Sequence, residues 1–406
     1  MPKSSLSSVS SHAPPIWILA IAVSSANMGM AMLSPAVPLM RSDFDASAMS
    51  VQLVLAVFMV ALGVGQMVAG TLSDRFGRRP VMLFGAALFS VSGFVAFFAP
   101  TIEILISLRF FQGAGAACCM AMGRVIISDS HGRSEAGRQM ATITMIQTIV
   151  PILGFSFGGV IADTIGWRGS IAIMAVSAFV TFFGALTLLG ETNKNRTSAA
   201  NFKSVTLAYK SLLLNRLFRL NAINSAMIVA SFFAMGGFMP YQFKSYGLSA
   251  AEYGVYFSMT SVGYLIGNSI SRRYAPRYGL DLTACVGAIG GAMSVVGMLV
   301  VHWLGFETPV PLTLCCVMFG VANGLTVANS IVGAVKAAGV HAGSATGLVG
   351  ATQMLSGAVF SSLAIALNGD IYFANAMAVV ISLSLISALS AYLALDPASR
   401  TEGGTN

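Results

Sequence analysis

Long apolar runs, each about the length of a membrane-spanning helix, divide this chain of 406 residues. A helix that crosses the hydrocarbon of a bilayer needs about 20 mostly apolar residues, and runs of this kind occur twelve times. Because 56% of the residues are hydrophobic and only 9% are charged, the composition excludes a soluble surface. The sequence therefore predicts an all-α integral membrane protein with twelve transmembrane helices. Their predicted bounds are 15–40, 47–72, 80–100, 103–128, 140–163, 168–190, 218–241, 252–271, 282–303, 310–334, 345–368 and 372–394.

The distribution of basic residues predicts the orientation of these helices. Cytosolic loops of membrane proteins are enriched in Lys and Arg. If the N-terminus is cytosolic, then of the 22 basic residues only Arg41, Arg168 and Lys244 lie outside, and Arg109 and Arg124 fall within the fourth helix. We therefore expect a multi-pass protein of the inner (cytoplasmic) membrane with both termini cytosolic. The formal charge of +8 is explained by basic residues in the predicted cytosolic loops, so no nucleic-acid partner is predicted.

One long polar segment divides the predicted helices into two sets of six. It carries several Lys, Arg, Asn, Ser and Thr residues and is interpreted as a cytosolic linker. The predicted organisation is a cytosolic tail, a first six-helix half, the linker, a second six-helix half and a second cytosolic tail. These units comprise residues 1–14, 15–190, 191–217, 218–394 and 395–406.

The segment between the second and third predicted helices is short, basic and punctuated by glycine. It reads Gly70-Thr71-Leu72-Ser73-Asp74-Arg75-Phe76-Gly77-Arg78-Arg79-Pro80. A charge at the centre of a membrane helix costs about 2.5–3.5 kcal/mol on insertion scales, so this segment must lie at a membrane surface. Its pattern, G-x-L-S-D-R-x-G-R-R, resembles the signature loop of the major facilitator superfamily. The resemblance implies a fold of two pseudo-symmetric six-helix halves.

By that resemblance, Asp74 would lie against the N-terminus of helix eleven, near Gly343 and Ser344, and bridge the halves on the cytosolic side. The helix dipole stabilises a carboxylate at a helix N-terminus, so this contact would favour one of two conformational states. The segment is therefore predicted to be a conformational latch, with a simple topology anchor as the alternative. The predicted latch residues are Gly70, Asp74, Arg75, Gly77, Arg78 and Arg79.

Helices four and five carry two further motifs. Leu108 to Ala117, which includes Arg109 and Gln112, resembles the fourth-helix motif of the drug:proton antiporter branch of the superfamily. Arg124 with Asp129 is similar to the Bcr/CflA-like multidrug exporters within that branch. In helix five, the segment that begins at Pro151 resembles the antiporter motif, although Phe155 stands where related chains carry proline. The predicted motif residues are Pro151, Gly154, Gly158 and Gly159.

Arg109 has two interpretations. It lies six residues past Glu103, so it is roughly 9 Å into the helix, deeper than a long side chain conveniently reaches back to water. One interpretation is a cationic residue that lines an aqueous cavity and responds to proton movement. The other is an arginine that bonds to backbone carbonyls and fixes helix packing. Charged residues within a membrane are rare and usually mark functional sites, so the first interpretation is predicted.

None of the 14 Asp and Glu residues falls in the middle of a predicted helix. Bcr/CflA-like exporters carry an acidic residue in helix one, at the place that Ala31 occupies here. Protons are therefore only a candidate partner, and Asp129 is the first choice for a titrating group, because the C-terminal end of a helix disfavours negative charge. The alternative is that Asp129 pairs with a loop arginine and that protons do not drive transport.

Neutral polar side chains remain in the predicted membrane interior. As a set they suggest a substrate cavity, although each one alone is better explained by a hydrogen bond between helices. The candidates are Asn27, Gln66, Gln147, Asn224, Asn323 and Gln353.

The predicted function is that of a secondary transporter that exports small amphipathic molecules or drugs from the cytosol. The alternative is an exporter of one endogenous metabolite, such as a siderophore. The helices offer no nucleophile with its base, no facing carboxylates and no metal-ligating cluster, so an enzyme is not expected. No cofactor or metal is predicted, and the expected partners are a small-molecule substrate and the lipid bilayer, with the protein a monomer.

Overall fold

The computed structural model describes residues 15–193, 202–306 and 308–395, and within them the secondary structure is helical without strands. Both predicted terminal tails and part of the linker therefore lie outside the described residues, apart from Leu395. The first half contains α1 (Ile16–Ala31), α2 (Val37–Asp43), α3 (Ala48–Phe76), α4 (Arg78–Phe97), α5 (Ile102–Ser130), α6 (Arg133–Thr164) and α7 (Trp167–Leu188). The linker contains α8 (Phe202–Leu214). The second half contains α9 (Arg216–Ser245), α10 (Ala250–Tyr278), α11 (Leu280–Trp303), α12 (Pro309–Ala338), α13 (Ala342–Ala366) and α14 (Phe373–Ala394).

Twelve helical segments thus correspond to the twelve predicted spans. Eleven of them, counting Ile16–Asp43 as one, are long and apolar enough to cross a membrane. The remaining segment, α10, has 29 residues and is long enough, but its sequence is more polar. Its Tyr253, Ser258 and Thr260 are buried within the protein. Polar side chains that face other helices do not meet lipid, which explains how this segment fits the fold.

The first predicted helix is interrupted. Helix α1 ends at Ala31, a 3₁₀ turn occupies Ser34–Ala36, and α2 starts at Val37. Pro35 and Pro38 lie in this stretch, and proline has no backbone N–H with which to continue an α-helical ladder. The predicted span over 15–40 thus corresponds to Ile16–Asp43, which this turn interrupts.

The predicted basic loop is almost entirely helical. Helix α3 continues through Asp74 to Phe76 and α4 begins at Arg78, so Gly77 alone separates them. Gly77 has φ of 102°, a conformation that side chains rarely adopt, and a glycine is required there for the chain to reverse direction. The linker also contains a helix, α8, that the sequence analysis did not identify.

The two halves repeat the same packing pattern. In the first half α4 and α3 both pack on α5, and α4 also packs on α7. In the second half α11 and α10 both pack on α12, and α11 also packs on α14. The halves meet mainly along two helix pairs, α3 with α13 and α6 with α10. The predicted fold of two pseudo-symmetric six-helix halves is confirmed.

Candidate transport site

A cavity lies between the two halves, near the middle of the helices. It encloses about 610 Å³ of empty space, its opening to solvent included. Among the residues that the structure describes, no charged side chain lines it. The lining residues are Asn27, Met30, Ala31, Ser34, Gln52, Leu55, Met59, Pro151, Phe155, Phe232, Phe233 and Gly236.

Aromatic side chains form one wall of this cavity. Phe155 of α6 packs edge to face against Phe232 and Phe257 of the second half, with ring centroids 6.3 and 5.0 Å apart. Phe232 also packs edge to face against Phe233, at 5.6 Å. Such pairs are favoured by the quadrupole of aromatic rings. The phenylalanine at the expected proline position of the motif thus joins the two halves and faces the cavity.

Gln52 is the most buried polar side chain of the cavity wall, with 1% of its surface exposed. Its Nε2 donates a hydrogen bond to Oγ of Ser361 in the other half, at 2.8 Å. Its Oε1 has no hydrogen-bond partner in the described structure. Sequence reasoning did not select Gln52, because it lies only five residues into the predicted second helix and resembles a residue of the membrane surface.

Asn27 is the one predicted cavity residue among the neutral amides that lines the cavity. Its Nδ2 donates to the backbone carbonyl of Gln147 at 3.1 Å. Gln147 bonds in turn to Val23 and Arg124, so it serves mainly to connect α1, α5 and α6. Gln66 approaches Gly350 of the second half, where a Cβ would come within 3.0 Å of its Oε1.

The other three predicted amides are buried in the second half and do not line the cavity. Asn224 bonds to Ser330 and Ser387, at 2.8 and 2.7 Å. Gln353 donates to the hydroxyl of Ser225. Asn323 is buried on α12. Hydrogen bonds between helices, the alternative stated for this set, account for the contacts of Asn224 and Gln353.

Arg109 is fully buried and does not line the cavity. Its guanidinium donates to the carbonyls of Gly29 (2.6 Å) and Val54 (3.2 Å) and to Oε1 of Gln112 (3.0 Å). It also lies 4.1 Å from the ring centroid of Phe58. The prediction that Arg109 lines an aqueous cavity is wrong for this conformation, because its donors instead tie α1 and α3 to α5.

Arg78 lies at the centre of an ion-pair network at the end of the molecule where α3 meets α4, here called the basic end. Its Nη1 donates to Asp74 at 2.6 Å, and its Nε donates to Asp129 at 3.1 Å. Arg124 does not join this network, because it bonds to Gln147 at 3.1 Å. Asp129 therefore pairs with an arginine from the α3–α4 junction, as the alternative for this residue expected.

The predicted contact between Asp74 and helix eleven, which is α13, is not made in this conformation. The Asp74 side chain is 53% exposed and turned toward Arg78 of its own half. A side chain at Gly70 or Gly343 would meet no atom within 4 Å, so the space beside both glycines is open. Because Asp74 bonds to Arg78 of its own half, the predicted latch is not engaged in this conformation.

The halves are joined at the other end of the molecule, here called the closed end. Arg41 at the end of α2 forms an ion pair of 2.8 Å with Asp370, which follows α13. Farther in, the hydroxyl of Ser34 donates to the carbonyl of Gly236 at 3.1 Å. The cavity therefore lies beneath a layer of polar contacts between the halves.

The glycines of the antiporter motif allow helices to approach closely on two sides of α6. A Cβ on Gly154 would come within 2.8 Å of Cβ of Ala31, and one on Gly158 would collide with the carbonyl of Met32. On the other side, a Cβ on Gly159 would collide with the carbonyl of Ala250 in the second half. The motif thus packs α6 against α1 and, across the halves, against α10.

Two six-helix halves that enclose a central cavity and are closed at one end define a membrane transporter. The chain belongs to the Major Facilitator Superfamily, whose family profile matches residues 19–361. It is therefore a transporter and not an enzyme.

Relatives and solved structures agree with this assignment. The chain is 26% identical over 295 residues to a chloramphenicol resistance protein of Pseudomonas aeruginosa, covering 69% of this chain and 70% of the relative. It is 23% identical over 353 residues to a bicyclomycin resistance protein homolog of Haemophilus influenzae, covering 84% and 86%. The structure of a D-xylose-proton symporter aligns with a TM-score of 0.75 at 15% identity, over 94% of this chain and 96% of that one, which shows a shared fold. The predicted superfamily is confirmed, and the drug-resistance relatives agree with the predicted branch.

The substitution Arg109→Lys tests whether Arg109 is structural. A lysine ammonium cannot reproduce the three separate bonds to Gly29, Val54 and Gln112, so the purified protein should lose about 2–4 kcal/mol of stability, measured as a lower unfolding temperature in detergent. Arg138→Lys is the matched control, because Arg138 is 74% exposed and should change the unfolding temperature little. Unchanged stability with lost transport in Arg109→Lys would instead assign Arg109 a direct role in transport.

Proposed function

We propose that this transporter exports neutral or weakly polar aromatic drugs and similar small molecules from the cytosol. The observation that carries the proposal is the central cavity, which has aromatic walls, few polar groups and no charged side chain. Adaptable apolar walls with a few polar groups suit ligands of varied shape. The relatives named for chloramphenicol and bicyclomycin resistance support this choice over a single endogenous metabolite.

The proposed orientation places the basic end in the cytosol. Arg75, Arg78 and Arg79 lie there with Arg272 and Lys336, whereas few basic residues lie at the closed end. Cytosolic surfaces of membrane proteins carry such an excess of Lys and Arg. The closed end then faces the outside, so that a substrate would enter the cavity from the cytosol.

Release to the outside requires the halves to rock into the opposite conformation. In that state we expect Asp74 to leave Arg78 and to approach the N-terminus of α13 near Gly343, where the helix dipole favours a carboxylate. Such a contact exists in only one state and therefore biases the equilibrium between them. The open space beside Gly70 and Gly343 is consistent with closure of this kind.

Proton coupling would need a titrating group that the cavity wall does not supply. The cavity lining contains no carboxylate, and Ala31, at the position of the family's acidic residue, is buried against Gly154. Coupling through Asp129 would require protonation to release its ion pair with Arg78. Transport that is not driven by protons is the alternative, and a flux assay with an imposed pH gradient separates the two.

The function is tested in proteoliposomes loaded with purified protein, by the flux of chloramphenicol with and without a pH gradient. We expect protein-dependent flux, and we expect Asp74→Asn to lower it about twofold to thirtyfold, as the dipole energy of about 0.3–2 kcal/mol allows. Asp45→Asn is the control, because Asp45 is an exposed carboxylate in the turn after α2. Absence of flux for chloramphenicol and other neutral aromatic drugs would contradict drug export, and undiminished flux in Asp74→Asn would leave Asp74 as a topology anchor.

A further inference from the structure

The unpaired oxygen of Gln52 is the feature of the cavity that its apolar packing does not explain. Buried side-chain oxygens in proteins almost always accept a hydrogen bond, so an exception calls for a missing partner. The amide uses Nε2 to bond Ser361 and leaves Oε1 free, while the side chain is 1% exposed. A partner is therefore expected to come from outside the chain.

Gln52 lies in the wall of the cavity, which is where such a partner could approach it. Gly237 lies beside it, and a Cβ there would come within 2.8 Å of Oε1, so a side chain at this position would press on the amide. Leu55 and Met59, one and two turns further along α3, line the same cavity. The site thus combines one buried acceptor with apolar walls.

We infer that Gln52 selects substrates by accepting a hydrogen bond, through Oε1, from an N–H or O–H group of a neutral aromatic molecule. The inference rests on the proposed function and adds a substrate class to it. A permanently charged molecule would find no carboxylate in the lining, and burial of an unpaired charge is costly. Because Gln52 also bonds Ser361 across the halves, the substrate would contact a residue that joins α3 to α13.

The test uses 2-quinolone and N-methyl-2-quinolone, two neutral aromatic lactams that differ in the presence of the N–H donor. Binding and flux of both are measured with the unmodified protein, with Gln52→Met and with Ser361→Ala. The methionine keeps the length and volume of the side chain and removes the acceptor. Ser361→Ala breaks the bond between the halves and keeps the acceptor, so it controls for a purely structural effect.

The unmodified protein should prefer 2-quinolone by about threefold to tenfold, the range expected for one neutral hydrogen bond. Gln52→Met should abolish the preference, and Ser361→Ala should retain it. A preference that survives in Gln52→Met, or no binding of 2-quinolone by a protein that exports chloramphenicol, would overturn the inference alone. Absence of flux for every neutral aromatic compound, chloramphenicol included, would overturn the proposed function as well.

A second inference rests on Asp163, which joins α6 to α10 at the closed end. Its carboxylate oxygens accept hydrogen bonds from the backbone N–H groups of Ala250 (3.1 Å) and Ala251 (2.8 Å). These residues begin α10, in the other half. The hydroxyl of Ser249, the residue just before α10, accepts from the N–H of Glu252. The first turn of this helix is therefore capped jointly by its own serine and by an aspartate of the opposite half.

Asp163 and Asp74 occupy corresponding places in the fold. Six-helix halves of this kind contain two triplets of inverted topology, and α3 and α6 are the middle helices of the two triplets of the first half. Asp74 lies near the end of α3, and Asp163 lies near the end of α6. Their neighbours across the halves, α13 and α10, are likewise the middle helices of the triplets in the second half.

We propose that Asp163 is the counterpart of Asp74, so that each carboxylate caps a helix of the opposite half in one of the two states. The present conformation has the Asp163 cap formed and the Asp74 side chain turned to Arg78. Opening of the closed end would expose the N–H groups of Ala250 and Ala251 to water and would free Asp163.

Distances between spin labels across the halves test this proposal. One pair of labels, at Ser42→Cys and Ser245→Cys, reports on the closed end, and a second pair, at Ser128→Cys and Thr346→Cys, reports on the basic end, with the native cysteines replaced by alanine. Asp163→Ala should shift the populations about twofold to thirtyfold toward separation of the first pair and approach of the second. Asp74→Ala should shift them in the opposite direction, and Asp45→Ala should leave them unchanged.

The double variant of Asp163 and Asp74 should return the populations toward those of the unmodified protein. Unaltered distances in a folded Asp163→Ala protein, or shifts of the same direction in both single variants, would overturn the proposal. These distances do not depend on which compound is transported, so the result is independent of the substrate proposed above.

Discussion

The close approach of α6 and α10 at the closed end is the contact on which the rest of the site depends. Two glycines permit it, because a side chain on Gly159 would collide with Ala250 and one on Gly254 would collide with Phe155. With no side chains between the helices, the carboxylate of Asp163 can reach the first N–H groups of α10. Closure here covers the cavity at the closed end.

Between the closed end and the basic end, hydrogen bonds from polar side chains hold neighbouring helices together. Arg109 donates hydrogen bonds to backbone carbonyls of α1 and α3, and Gln147 connects α1, α5 and α6. In a bilayer such groups cannot turn to water, so they bond to neighbouring helices. The cavity is thereby left with few polar groups, and we propose that Oε1 of Gln52 is the one that recognises a substrate.

Sequence patterns predicted the helices and the family well, because apolar length and glycine-punctuated motifs are local properties of the chain. The partners of individual side chains were harder to predict. Arg109 lies in a motif and in the membrane, but only the fold shows that the carbonyls of Gly29 and Val54 satisfy it. Gln52 lies in no recognised motif, and its position in the cavity wall follows from the packing of α3 against α13. The bonding partner of Asp74 depends on the conformational state of the transporter, and no sequence pattern specifies that state.

The central proposal is that a substrate reaches the cavity from the cytosol, and that the cavity is closed to the outside in this conformation. It is tested most directly by a single cysteine at Met30, a cavity residue, in a chain whose 5 native cysteines are replaced by alanine. A maleimide that cannot cross membranes should label this cysteine from the cytosolic side of oriented vesicles, and chloramphenicol should slow the labelling. Labelling from the outside alone, with the cytosolic side unreactive, would contradict the account.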